Sequence, residues 1–117
     1  MDTVEVEPVS VRVARGLAWI KENGHLVDFD LDRVNLETLD VSDGTVCVTA
    51  QASGFDSYSK AAEALEIEGI DPLEWGRDHG ALPARELVLG MGMYAARQAD
   101  QDALTEEWRR VIAAERA

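Results

Sequence analysis

The chain has 117 residues, of which 46% are hydrophobic and 29% charged, a composition typical of one globular domain. Its 23 acidic and 11 basic residues give a net charge of −12, which argues against direct binding to nucleic acid or to an anionic membrane. No apolar run reaches the roughly 18 residues of a membrane span, and the acidic start lacks the features of a signal peptide. The single cysteine, Cys47, cannot form an internal disulfide, so we expect a cytoplasmic protein.

The N-terminal part of the chain predicts an extended arm followed by a helix. Residues 1–8 form the acidic arm, and their alternation of valine and glutamate also allows a short strand. The first helix is predicted over Ser10–Asn23, with its serine as the N-cap and Gly24 as the closing residue. Its apolar stripe has helical spacing: Val13, Leu17 and Ile20. Gly16 indicates close packing against a neighbour, and Trp19 is expected to be a partly buried core residue.

The segment 25–43 is acidic and lacks a clear periodicity. Three aspartates alternate with other residues, as in a calcium-binding EF-hand loop: Asp28, Asp30 and Asp32. However, Arg33 stands where that loop requires glycine, and Leu39 stands where it requires a bidentate glutamate. We therefore expect no calcium site, but an irregular segment whose aspartates face water while Phe29 and Leu31 dock on the core.

Two interpretations are open for Ser42–Gly54. The β-branched run Val46–Thr49 favours a strand by intrinsic propensity. The flanking residues instead favour a helix, because Ser42 and Asp43 suit a helix start and Gly54 suits a helix stop.

The C-terminal half predicts four further helices: Asp56–Glu68, Asp71–Asp78, Pro83–Gln98 and Asp100–Arg116. Ser57 or Asp56 is predicted to cap the first of them, and Asp71 the second, with Pro72 as its first helical residue. For Leu87–Leu89 a buried extended piece is the alternative. The last helix has the clearest apolar stripe: Leu104, Trp108, Val111 and Ile112. Glu106 and Arg110 are predicted to form an ion pair across one turn. Residues 1–117 thus predict an all-α fold, a single compact domain of five or six short helices, with a minor β element near the N-terminus as an open variant.

The sequence contains no catalytic signature of a known kind. His25 and His79 stand at predicted helix ends, where we expect them to be solvated, and no ligand spacing indicates a metal. Cys47 lies in an apolar run, which favours a buried, inert thiol over a nucleophile. We predict no catalytic, cofactor-binding or metal-binding residue. An enzyme would require a pocket that brings Cys47 or a histidine to polar partners.

Two features could contact a partner. Trp75, Met91, Met93 and Tyr94 are of the types enriched in interface cores, although they could equally build the protein's own core. The acidic stretches 26–43 and 63–78 could meet a basic patch on a partner or imitate DNA phosphates, although a solubilising surface would also explain them.

Several motifs together resemble an uncharacterised family of small proteins from actinobacteriophages and actinobacterial prophages. The matching segments are Ala14–Leu17, Phe29–Leu31, Val34–Val41, Gly44–Val48, Gln51–Gly54 and Leu104–Trp108, followed by Ile112. The resemblance covers most of the chain and is thinnest over residues 70–100. The chain departs from the pattern at Thr49 and Ala50, where relatives often carry Leu-Gly, and it lacks a second aromatic residue just after Gln51.

This resemblance implies a phage or prophage origin and action in the host cytoplasm, and it carries no catalytic residues. It also favours the helical interpretation of Ser42–Gly54. We therefore expect a non-enzymatic phage protein that binds a host or phage protein. The alternative is an acidic nucleic-acid mimic that inhibits a DNA-binding host protein.

Overall fold

The computed structural model describes residues 6–89 and 94–117. Within them six α-helices follow one another: α1 (Val9–Val27), α2 (Val48–Ser53), α3 (Tyr58–Ile67), α4 (Pro72–Asp78), α5 (Arg85–Leu89) and α6 (Tyr94–Arg116). A 3-10 turn, Leu31–Arg33, lies between α1 and α2. The described residues contain no strand, and the predicted all-α fold is confirmed. The start of the predicted N-terminal arm lies outside the described residues, and residues 6–8 have no regular structure.

The two longest helices, α1 and α6, pack against each other and form the centre of the fold. Three pairs mark their register: Arg12 with Asp100, Gly16 with Trp108, and Lys21 with Glu115. Because the residue numbers in α1 and in α6 rise together across the three pairs, the two helices run in the same direction. One core cluster draws side chains from α1, α2, α3, α4 and α6. The radius of gyration is 13.6 Å, close to the roughly 13 Å expected for a compact chain of this length.

Helix α1 is longer than predicted at both ends. It begins after Pro8, not at a serine cap, and it continues through Gly24 to Val27. The closing residue is Asp28, in the left-handed conformation with φ 57°. Gly24 has a packing role instead, since a Cβ there would lie 2.7 Å from the carbonyl oxygen of Phe29. The predicted helix stop was therefore wrong, because glycine also occurs where another backbone segment approaches closely.

Arginine side chains hold the acidic segment that follows α1. Three arginine side chains donate hydrogen bonds to backbone carbonyls of this segment, and one of them also donates to a carbonyl of α2. The pairs are Arg33 with Asp28 and Ala52, Arg109 with Leu36 and Leu39, and Arg116 with Leu31 and Val34. An irregular segment leaves carbonyls without backbone partners, and the forked guanidinium can satisfy two at once. Phe29 is buried, Leu31 is partly buried, and the three alternating aspartates are exposed, as predicted.

Helix α2 confirms the helical interpretation, but it starts later than predicted. Asp43 Oδ1 accepts hydrogen bonds from the backbone N–H and the hydroxyl of Thr45, at 2.9 and 2.7 Å, which forms a turn instead of a helix cap. The helix ends at Gly54, in the left-handed conformation with φ 78°, as predicted. All six residues of α2 are buried. The buried side-chain amide of Gln51 forms hydrogen bonds within the protein. Its Oε1 accepts from Asn35 N–H at 2.6 Å, and its Nε2 donates to the Val46 carbonyl at 2.9 Å.

Helices α3 and α4 match their predicted caps. Ser57 Oγ accepts from Lys60 N–H at 3.4 Å, and Asp71 Oδ1 accepts from Leu73 N–H at 3.0 Å. Pro72 is the first residue of α4. Residues 72–78 form this helix, as the sequence predicts.

The C-terminal helices differ from prediction in their bounds. Residues 85–89 are helical, so the alternative of an extended piece is wrong, and the helix begins two residues after Pro83. The centre of the predicted helix Pro83–Gln98, residues 90–93, lies outside the described residues. Helix α6 begins at Tyr94 instead of Asp100. No helix in the described ranges has the length and apolar content that a bilayer span requires.

The predicted ion pair of Glu106 with Arg110 is replaced by two others. Glu106 pairs with Arg109 and Glu107 pairs with Arg110, each at 2.7 Å and one turn apart. Arg109 is drawn towards Leu36, whose carbonyl it also binds, and this brings it beside Glu106. The hydrogen bond from Arg110 lowers the pKa of Glu107.

Candidate functional site

The four predicted contact residues do not form one surface in the described residues. Trp75 is 4% exposed and belongs to the core cluster, whereas Tyr94 is 70% exposed at the start of α6. Met91 and Met93 lie outside the described residues. Trp75 therefore follows the core interpretation, and the role of the other three residues as partner contacts stays a prediction.

Trp75 is the centre of an aromatic cluster. Its ring stacks on that of His79, with centroids 4.8 Å apart and planes 11° apart. The rings of Trp19 and Phe29 complete the cluster in T-shaped arrangements with Trp75, at centroid distances of 5.1 and 6.1 Å. His79 Nδ1 lies 2.7 Å from the carbonyl oxygen of Trp75. Solvation was correctly predicted for His25, which is exposed, but not for His79, which is partly buried by this stacking.

Protonation of His79 is expected to weaken the fold. Burial lowers its pKa below 6.5, although its bond with the Trp75 carbonyl acts in the opposite direction. An unfolded histidine keeps its ordinary pKa, so the unfolded chain binds the proton more readily. The stability that neutral His79 contributes to the fold is fully present above about pH 6.5. It is lost as the pH falls through the lower pKa that His79 has in the folded state.

Urea unfolding at about pH 7.5 and 5.5 measures this dependence. We expect the wild type to lose more stability on acidification than His79→Phe, which keeps an aromatic ring against Trp75. His25→Gln is the matched control, because His25 is exposed, and it should behave as the wild type does. An equal loss in the wild type and His79→Phe would contradict the assignment.

Cys47 lies where the sequence predicts, in the core. It is 2% exposed, and its sulfur lies 3.4 Å from Thr49 Oγ1. Such a thiol is shielded from solvent and serves as a small apolar residue. In the residues that the structure describes, no group of three His, Cys, Asp or Glu side chains has a geometry that could hold a metal ion.

The most deeply buried charges belong to Arg12 and Asp100, a pair that sequence reasoning missed. Arg12 donates to both carboxylate oxygens of Asp100, at 2.6 and 3.0 Å, and to the carbonyl of Glu7 at 2.9 Å. Asp100 also accepts from Ala84 N–H at 3.1 Å. Both of its oxygens are thus engaged within the protein, which makes the pair a structural clamp between α1 and α6.

A signal for this pair was present in the helical spacing. Asp100 precedes Leu104 and Trp108 by four and eight residues, and Arg12 precedes Gly16 by four. Opposite charges on the buried stripes of two helices indicate a buried ion pair. Treating Asp100 as a helix start obscured that spacing.

A depression of about 300 Å³ lies where the ends of α1 and α6 meet the acidic segment. Its floor is apolar: Ile20, Phe29 and Ile112. Its polar groups bond to one another or to backbone, since Lys21 pairs with Glu115 at 3.2 Å and Arg116 binds the carbonyls described above. Neither Cys47 nor a histidine lines it, so this depression does not bring either of these candidate groups to polar partners.

The surface with the clearest binding character lies between α3 and α4. This α3–α4 groove measures about 500 Å³, and its lining includes Tyr58, Ala62, Glu63, Glu66, Pro72 and Leu73. Leu73 is 49% exposed, and Ile67, which follows the groove residue Glu66 on α3 but does not line the groove, is 83% exposed. Contiguous exposed apolar groups with a polar rim are typical of protein-binding surfaces.

Tyr58 anchors one end of the groove. Its side chain is partly buried, and its hydroxyl donates a long hydrogen bond of 3.4 Å to the Pro72 carbonyl. Burial raises the pKa of Tyr58 to about 12, so the phenol is neutral at physiological pH. The groove therefore has an uncharged floor, and its charge comes from the carboxylates of Glu63 and Glu66 on α3 and of Asp71 at the start of α4.

Comparison with protein-family models, with curated proteins and with solved structures gives no match for this chain.

Proposed function

We propose that this chain is a non-enzymatic bacteriophage protein that acts in the host cytoplasm by binding a host or phage protein. The observation that carries the proposal is the α3–α4 groove, where Leu73 and the adjacent Ile67 expose apolar side chains beside a polar rim. The phage origin, the cytoplasmic location and the choice between a host and a phage partner come from the resemblance to actinobacteriophage proteins.

The distribution of charge supports protein binding over nucleic-acid mimicry. A mimic requires carboxylates arrayed at phosphate-like spacing. Three acids of α6 instead pair with bases that neutralise them: Glu106 with Arg109, Glu107 with Arg110, and Glu115 with Lys21 of α1. Along α6, this pairing interrupts the continuous negative surface that a mimic of DNA would present.

Capture from an actinobacterial host lysate with the tagged protein, followed by mass spectrometry, tests the proposal. We expect a retained protein whose recovery falls at least about tenfold with the double variant Ile67→Ser/Leu73→Ser, since its apolar contacts are lost. Both side chains are substantially exposed, so this variant should keep its fold, as circular dichroism can verify.

Phe55→Ser is the matched control, because Phe55 is 54% exposed and lies outside both the groove and helices α3 and α4. It should retain the partner as the wild type does. A capture that is empty at low salt, or a partner lost equally with the control, would contradict binding through this surface.

A further inference from the structure

We infer that the α3–α4 groove receives a basic, amphipathic helix of the protein partner. This inference rests on the proposed function and specifies the chemistry of the partner. It depends on three properties of the groove: its shape, its apolar floor and its unneutralised carboxylates.

The shape of the groove suits a helix. The residues of α3 that line it include Ser59, Ala62, Glu63 and Glu66, with spacings of three, four and seven residues. These positions lie along one face of α3 over roughly 10 Å, about two helical turns. An amphipathic helix binds such a groove through anchors with the same spacing. A peptide that binds by strand addition would instead need a free sheet edge, and the described residues contain no strand.

The floor of the groove suits apolar anchors. Ala62 is 8% exposed, and it lines the groove together with Tyr58 and Leu73. Each methylene group that a partner buries there strengthens binding. Ile67, at 83% exposure, extends the apolar surface beyond the end of the groove.

The rim of the groove selects a positive charge. Glu63 and Glu66 are exposed, and neither pairs with a basic side chain in the described parts of the chain. The acids of α6 differ, because bases neutralise them. Residues 63–78 contain six acids and a single base, Arg77, so the local field is negative. Lysine or arginine beside the apolar anchors of a partner would complement it.

The same charges disfavour other occupants. Nucleic acid and anionic membranes would be repelled by the carboxylates. A second copy of this chain also carries a net charge of −12, and many of its bases are engaged in internal ion pairs. A basic segment of a different protein is the occupant that the groove fits best.

Two synthetic peptides of about 14 residues, long enough for four helical turns, test the inference. Both carry leucine at positions i, i+3, i+4 and i+7; one has lysine at its remaining positions and the other has glutamate. Fluorescence anisotropy with the full chain measures their Kd values at low and high salt. We expect the lysine peptide to bind at least about tenfold more tightly than the glutamate peptide, with the difference shrinking as salt rises.

Charge reversal localises the binding. Glu63→Lys/Glu66→Lys should weaken the lysine peptide about tenfold and strengthen the glutamate peptide. Glu22→Lys/Glu37→Lys makes the same change in net charge at two exposed carboxylates outside the groove and should alter both Kd values less than about threefold. Circular dichroism of each variant verifies the fold.

Equal binding of the two peptides, or equal weakening by both charge reversals, would overturn the inference. If neither peptide binds but the lysate still yields a protein that Ile67→Ser/Leu73→Ser loses, the proposed function stands and the basic helix is wrong. An empty lysate capture would instead contradict the proposed function. A dimer in sedimentation that dissociates on Ile67→Ser/Leu73→Ser would assign the groove to a second copy and overturn the inference.

Discussion

Asp100→Asn lowers the free energy of unfolding by about 3–5 kcal/mol, the range expected when one member of a buried ion pair is removed. The physical reason is that Arg12 keeps its charge, is 2% exposed, and loses the carboxylate that compensates its burial. The asparagine oxygen can still accept the hydrogen bond from Ala84 N–H. The loss of stability therefore reports the removed charge and not the loss of this backbone contact. Because a domain of this size has roughly 5–15 kcal/mol of stability, the loss is a large share of the total.

A double-mutant cycle separates the pair from the rest of the core. Arg12→Met alone leaves the carboxylate of Asp100 buried without its partner, with a loss of similar size. Arg12→Met/Asp100→Asn removes both charges, and we expect it to be more stable than either single variant. Urea unfolding of the four proteins measures the coupling. Additive losses would show that the two charges act independently.

Gly16→Ala lowers stability by about 1–3 kcal/mol, although glycine in the middle of a helix ordinarily costs about 1 kcal/mol relative to alanine. Alanine is expected to destabilise the protein here because a Cβ at this position would lie 2.1 Å from the carbonyl oxygen of His79 and 2.9 Å from the ring of Trp108. Trp108 cannot move away easily, since it is fully buried and its indole N–H donates to the Gly80 carbonyl at 2.8 Å. Either α1 or the segment after α4 has to shift.

Two control variants separate the effect of helix propensity from the effect of the close contact. Ala14→Gly, on the exposed side of α1, should cost about 1 kcal/mol from propensity alone. Gly44→Ala should be nearly neutral, because its Cβ would lie at an ordinary 3.6 Å from Tyr58 Cβ. A midpoint of urea unfolding that rises for Gly16→Ala would show that the close approach is not present in solution.

The helices could be predicted where the signal is local. The caps at Ser57 and Asp71, the apolar stripe of Leu104 and Trp108, and the stop at Gly54 depend on residues within one or two turns, and the structure has them as predicted. Periodicity and capping chemistry act over that distance.

The errors arise where one residue type fits two local structures. Gly24 resembles a helix stop in sequence, but its lack of a side chain accommodates the Phe29 carbonyl. Asp43 resembles a helix cap, but its carboxylate closes a turn with Thr45. In both cases the residue type fits two structures, and only the folded arrangement selects one.

The candidate site was predictable in part. Composition identified the acidic stretch 63–78, and it marked Trp75 as a residue for either a surface or the core. The exposure of Ile67 and Leu73 was not predictable, because an apolar residue on a short helix is usually buried and its orientation depends on how α3 and α4 pack.

The parallel register of α1 and α6 has a consequence during synthesis. Arg12 and Asp100 are separated by 88 positions, so the first helix leaves the ribosome long before its principal partner has been translated. Until α6 emerges, the apolar stripe of α1 lacks Trp108 and Leu104, and the core cannot close cooperatively. We therefore expect nascent chains arrested before residue 100 to be protease-sensitive, and protection to appear in one step once α6 is free of the exit tunnel.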